Sequence, residues 1–424
     1  MSTSVQSMAR TGEELDLYYY DAETSKKQAF PTTQNTKYVQ QFANLAGGSS
    51  VFTIPPSNGV QDVVLEFQMP ALADNPAGAL DALFLPRGWG YALIKQVSFR
   101  YGGSSQYFLT GQQILQNALR AQTSRTSCDD ILTLGGGYAN GNGGAAGNLD
   151  VAQSAAVVLS LPHNSPSGVN KRHPLPSDLL TQQIQVTVEL FPVSSVFNVA
   201  AGAPGGTAGA IPNALANAQF QLQQVMFNNQ GDALARRVDM AVNAYSYPSE
   251  FVQQEVTINL ANTAQAQPVV LTGFRSGEVK AIHCWLSRAG EAATDPWKWY
   301  LPSAVQMTYA GDIYARYEFA SSPLWNLING NKAPAFDTVA SAGAAAGAWN
   351  APVPYLSQWV ELPFAQSLVD EDAHAILIHG KPITNGIVNL LITTPSAQAD
   401  WVLHISYIYN TTLLFSQGTA DYVF

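Results

Sequence analysis

The sequence predicts an all-β protein of two eight-stranded jelly rolls in tandem, with short helices in loops. Three observations predict it: a stretch that the chain says twice, many short alternating strands punctuated by Pro and Gly, and few helical segments. The repeated stretch runs from Val97 to Leu119, and its second copy from Val305 to Ile328. Val97, Tyr101 and Gly103 match Val305, Tyr309 and Gly311. After one inserted residue, Leu115, Asn117 and Leu119 match Leu324, Asn326 and Ile328. The period of about 208 residues is far above the 20–50 of solenoids and propellers, so a whole domain is duplicated.

Each copy reads strand, glycine turn, strand, then one amphipathic helix. Val97, Phe99 and Tyr101 alternate with Ser98 and Arg100, the period of a strand. Gly102-Gly103 supplies the positive-φ positions of a hairpin. Ile114, Leu115 and Leu119 in one copy, and Leu324, Leu327 and Ile328 in the other, share a helix face.

Along the chain, residues 1–36 read as an arm that docks on a neighbour or an inner layer, since a loose terminus orders only when covered. Residues 37–235 form the first roll with its connector, and residues 236–424 the second. First-roll strands are predicted at 50–54, 61–69, 92–101, 106–109, 155–161, 183–191 and 220–227, with a helix near 112–121. Thr123–Asp150 and 198–214 read as a Gly/Asn/Ala loop and a Gly/Ala/Pro connector. Second-roll strands are predicted at 253–260, 268–274, 279–286, 304–309, 313–319, 357–362, 373–378, 387–393 and 401–409. The helix lies near 323–328, and 331–350 is a second long loop in the same relative place. Eight strands per roll is one solution to exposed sheet edges.

Charged residues make up 12% of the 424, about half the usual share, which suits a surface hidden in subunit contacts. A net charge of −10 argues against non-specific nucleic-acid binding, which rests on Lys and Arg. Lys26-Lys27, Lys171-Arg172 and Arg236-Arg237 are small basic spots that read as solvated loops or helix ends. Two cysteines, Cys128 and Cys284, give no disulfide framework. Residues 1–10 lack an apolar core for a signal peptide, and no apolar run of 18 residues exists, so the default expectation is an intracellular product with no membrane span.

No constellation for chemistry emerges, so the expectation is a non-enzyme without catalytic, cofactor-binding or metal residues. The glycine runs are not followed by Gly-Lys-Ser/Thr. Asp370-Glu371-Asp372 with His374 offers ligand atoms, but no second cluster joins it, and a solvated turn accounts for it. His283 and Cys284 are neighbours in a strand and face opposite ways, so they make no two-ligand site. A carbohydrate-active double β-sandwich, the alternative reading, needs opposed carboxylates. The strand acids Glu66, Glu189, Glu255 and Glu361 are not paired by any pattern. A carbohydrate-binding version would use aromatics such as Trp297-Lys-Trp-Tyr300, which buried packing explains as well. Asn410-Thr-Thr412 is a lone glycosylation sequon.

Several segments, in order, resemble one family. They are Leu93–Gly103; Leu159-Ser-Leu-Pro162 followed by His173–Leu190; Phe220–Phe227, Ala235-Arg-Arg237 and Tyr247–Val256; Leu271–Trp285; and the tail from Trp401 to Phe424. Together they are similar to the double jelly-roll major capsid proteins of icosahedral DNA viruses, especially the nucleocytoplasmic large DNA viruses. The resemblance covers roughly residues 40–424. It implies a structural virion protein that forms homotrimeric, pseudo-hexagonal capsomers tiling a shell. It further implies minor capsid or penton partners, an internal membrane in some relatives, loops 123–150 and 331–350 facing outward, and the arm inside. Short loops and the scarcity of sequons depart from relatives with glycosylated towers. A minor capsid or vertex protein is the related lesser reading.

Overall fold

The computed structural model describes residues 33–73, 83–159, 177–199, 211–227, 238, 245–318, 360–364 and 381–423, apart from short stretches at 102–104, 121–124, 138, 141–146, 254–255, 264, 276, 290–299, 301, 384–386, 398–399 and 417. Eight principal strands form the first roll: β1 (Thr33–Gln41), β2 (Gly48–Ile54), β3 (Gly59–Met69), β4 (Ile94–Tyr101), β5 (Ser105–Leu109), β6 (Gln153–Leu159), β7 (Ile184–Leu190) and β8 (Asn217–Phe227). Eight more form the second: β9 (Tyr245–Val252), β10 (Gln267–Val270), β11 (Glu278–Arg288), β12 (Ala304–Tyr309), β13 (Asp312–Glu318), β14 (Val360–Pro363), β15 (Val388–Thr393) and β16 (Trp401–Ser416).

The first roll is two antiparallel sheets, ordered β1-β8-β3-β6 and β2-β7-β4-β5. The second has the four-strand paths β9-β16-β11-β14 and β10-β15-β12-β13, the same order shifted by eight strands, and its first sheet carries Val256–Asn259 and Thr419–Val423 on β16 and Lys381–Pro382 on β11 in addition. The predicted duplication is therefore one of topology. The two copies of the repeated stretch, β4-β5 and β12-β13, occupy equivalent hairpins.

Strand alternation sets each core. Val63, Leu65, Phe67 and Met69 on β3 are buried, as are Val97, Phe99 and Tyr101 on β4 and Ile184, Val186, Val188 and Leu190 on β7. Phe52 and Phe220 stack across the sheets with centroids 4.4 Å apart, and Phe42 meets Phe52 edge-on at 4.8 Å. The second core is built by Val305 and Met307 with Leu390, Ile392, Leu403 and Ile405. Each fully buried aliphatic side chain contributes roughly 1.5–3 kcal/mol.

The structure moves several predicted elements. Trp89–Leu93 is a short helix, α1, so β4 begins at Ile94, later than predicted. The helix α2, Gly111–Arg120, stands where expected. The expected loop at 123–150 contains a further helix, α3, Arg125–Leu134. Its C-terminal glycines are not slack. Gly90 N donates to Gly135 O at 2.8 Å and Gly88 N to Gly136 O at 2.7 Å, and a Cβ on Gly136 would come within 2.3 Å of Trp89. That backbone approach, with Gly136 at φ 116°, is what the glycines are for. A small sheet of Asn198–Val199, Leu83–Leu85, Ala139–Asn140 and Gly147–Asn148 adds buried Leu83, Leu85 and Ala139. A last strand, Thr419–Val423, folds back on β16. The predicted helix at 323–328, the loop at 331–350 and the strand at 373–378 lie outside the described residues.

Candidate functional site

Helix α2 of the first roll is buried on two faces, and the second face builds the seam between the rolls. Thr110-Gly-Gln-Gln113 is a capping box: Gln113 N donates to Thr110 Oγ1 at 3.2 Å, and Thr110 N donates to Gln113 Oε1 at 3.0 Å. Ile114, Leu115 and Leu119 are buried as expected. Gln113 and Gln116, three apart, share another face. Gln113 Nε2 donates to the carbonyl of Gln253 at 3.2 Å and to Ser406 Oγ at 3.1 Å. Gln116 Oε1 lies 3.3 Å from His283 Nδ1, and His283 Nε2 lies 3.4 Å from Glu361 Oε1.

Strand β11 receives this helix because it is buried on both sides. Ile282, Cys284 and Leu286 face one way, His283 and Trp285 the other, and all are buried. Burial pushes the Cys284 thiol from its ordinary 9.0 up to about 12, so it stays a neutral small hydrophobe. His404 stacks on Trp285 with centroids 5.2 Å apart, and its Nε2 lies 2.6 Å from Ser287 Oγ.

Two further contacts flank the amide row. Lys280 on β11 and Glu250 on β9 form an ion pair with side chains 0% and 4% exposed, and burial of either alone would be costly. Tyr107 of β5 meets Phe251 at 5.2 Å and Tyr422 at 5.9 Å, while its hydroxyl accepts from Val252 N at 3.3 Å. Tyr422 also meets Tyr101 at 6.4 Å. Burial raises the Tyr101 and Tyr422 phenols well above their ordinary range. Thr181 closes the seam elsewhere, donating from both N and Oγ1 to Gly418 O at 2.8 Å.

The residues weighed for chemistry are not assembled into a cleft of opposed acids among those described. Glu66 is on β3, Glu189 on β7 and Glu361 on β14, three different sheets. Glu189 accepts from Lys95 Nζ at 2.6 Å, and Glu361 belongs to the seam. Tyr300 packs edge-on against Trp401 at 5.1 Å. Asn410 sits on β16 opposite Glu250 and Glu278. Glu255, Trp297 and residues 370–374 lie outside the described residues, as does the side chain of Cys128. Among the described residues no group of three or more His, Cys, Asp or Glu gathers to hold a metal ion, and no helix is long and apolar enough to cross a membrane. Sequence reasoning missed Gln113 and Gln116. Their only signal was the capping-box spacing and two amides one turn apart.

No family model and no curated protein sequence matches the chain. Solved structures do. The PBCV-1 protein VP54, in a crystal structure fitted into a reconstruction of the virophage Sputnik, superimposes with a TM-score of 0.60 at 12% identity, over 94% of this chain and 98% of its own. The Faustovirus major capsid protein gives 0.59 at 11% identity, over 94% and 93%. The fold is the double jelly roll. The mavirus major capsid protein adds a likeness of 0.50 at 13% identity, over 96% and 94%. In each case the double jelly roll spans nearly the whole of both chains, so the seam described above lies within the shared region.

Proposed function

We propose that this chain is a major capsid protein, a structural subunit of an icosahedral virion shell with no enzymatic role. The observation that carries the reading is the locked pair of equivalent rolls. One chain presents two similar upright blocks, so three chains supply six, and a homotrimer imitates a hexagonal tile. The whole-length likeness to capsid proteins at 11–13% identity supports it, because it concerns both rolls and not one sandwich. The low charge fits a molecule whose flanks are covered by neighbours. On this reading the two rolls divide near residue 236, and the partners are further capsomers with minor capsid or penton proteins. The chain has no need to grip nucleic acid by sequence.

Light scattering after size exclusion tests it. The expected mass is three times 45.4 kDa, and negative-stain images should show pseudo-hexagonal plates. A folded protein that stays monomeric at all concentrations would remove the reading.

A further inference from the structure

Helix α2 lies across the strands of the second roll, and the two share a spacing. Residues three apart on a helix rise about 4.5 Å, and neighbouring strands stand about 4.8 Å apart. Gln113 and Gln116 are three apart on α2. Glu361, His283 and Ser406 form one row across β14, β11 and β16, because His283 pairs with Glu361 on one side and with Ser406 on the other. Gln113 bonds Ser406, and Gln116 meets His283 one strand further on. All five side chains are buried. Beside this row the seam is aromatic, with Tyr107, Phe251 and Tyr422 packed ring against ring.

We propose that the polar row fixes the register in which the two rolls dock, and that the aromatic contacts alone do not. Apolar contact is non-directional and survives a small slide. Hydrogen bonds weaken steeply with angle and do not. Side chains on one face of a strand recur every two residues. A slide of that size along the strands carries the two amides from His283 and Ser406 to the next pair in register. In one direction that pair is Ala281 and Ile408, both apolar; in the other it is Trp285 and His404, already stacked on each other. Either slide leaves buried polar groups without partners, which is the costly outcome. Buried polar groups serve best as selectors of one arrangement, since an apolar replacement of similar volume often matches them in strength. The row holds the rolls in one position within a single chain, whether or not chains associate.

Apolar replacement separates register from strength. His283→Leu alone leaves Gln116 and Glu361 facing an alkyl group. Adding Gln116→Leu and Glu361→Leu makes that end of the row apolar, while Gln113 keeps its cap. Trp285 lies two residues from His283 on the same face of β11 and reports the docking. In protein labelled with fluorotryptophan, Trp285→Phe assigns its fluorine resonance. The expected result is one Trp285 resonance in the wild type and a lowered urea midpoint for His283→Leu. The triple variant should recover most of that midpoint yet split the Trp285 resonance into two or more. A recovered midpoint with one resonance overturns the proposal, because apolar docking then sets the register unaided. A triple variant as weak as His283→Leu overturns it too, because the row then supplies strength. Should the triple variant fail to fold, His283→Gln, which keeps hydrogen-bonding atoms, is compared with His283→Leu. One resonance in the first and several in the second are expected, and equal numbers overturn the proposal. None of these readouts depends on the number of chains in the particle, so the trimer reading stands or falls separately.

Discussion

Gln113 uses one amide for two purposes. Its oxygen completes the cap of α2, and its nitrogen crosses to Gln253 and Ser406 on the other roll. Gln113→Ala removes the reciprocal cap and strips a partner from the buried Ser406 hydroxyl and from the half-buried Gln253 carbonyl, so it should destabilise by roughly 2–4 kcal/mol. Urea unfolding at neutral pH checks this; a loss under about 0.5 kcal/mol, the size of an ordinary surface change, would mean the bridge carries nothing. Buried acids that must stay neutral set the alkaline limit. Cys284 ionises from its ordinary 9.0 in the unfolded chain but only at about 12 in the fold. The phenols of Tyr101 and Tyr422 are likewise raised by burial. Between the two values the unfolded chain holds fewer protons than the folded one, so stability falls as pH rises. The contribution of these groups should be level below about pH 9 and decline from there, first through Cys284 and then through the tyrosines. Cys284→Ala, although it leaves a small cavity, should flatten the first part of that decline in a urea series across pH.

At the scale of elements, the β12-β13 hairpin shows what a sequence states outright. Its turn needs two positive-φ residues, and it has Ala310 at 52° and Gly311 at 94°. An alanine there bears a steric cost that glycine does not, so Ala310→Gly should stabilise the protein by about 1 kcal/mol. Thermal melting would read this as a small upward shift; a downward shift would mean the turn is not of this type. Such hairpins were legible because alternation and turn glycines are local rules. Strand β4 and helix α2 were legible for the same reason. Strand β9 was largely missed, because Tyr245-Ser-Tyr-Pro-Ser-Glu-Phe-Val252 takes its order from pairing with β16, more than 150 residues away. Helix α3 was hidden by the glycine run that follows it, whose tight packing on α1 reads in sequence as slack. The seam was the least legible part. Gln113 and Ser406 are 293 residues apart, and no periodicity links a helix amide to a hydroxyl on a strand of another roll.

At the scale of the whole molecule, the seam decides whether the chain behaves as one body or two. Each roll has its own sheets and aliphatic core, so separate melting would be natural if the contact were thin. Instead the contact buries an amide row and a tyrosine cluster that neither roll completes alone, beside an ion pair within the second roll's sheet. Lys280 and Glu250 both belong to the second roll, which makes them a one-sided lever. Lys280→Met strands a buried carboxylate and should cost roughly 3–5 kcal/mol, while adding Glu250→Leu should recover most of that loss. If the rolls are coupled, calorimetry at fixed protein concentration will show one peak for the wild type and one lower peak for Lys280→Met. A variant scan that splits, with the first roll left at its original temperature, would mean that the rolls stand side by side without sharing stability. The rigid two-block tile would then have to come from neighbouring chains, because the chain itself would not supply it.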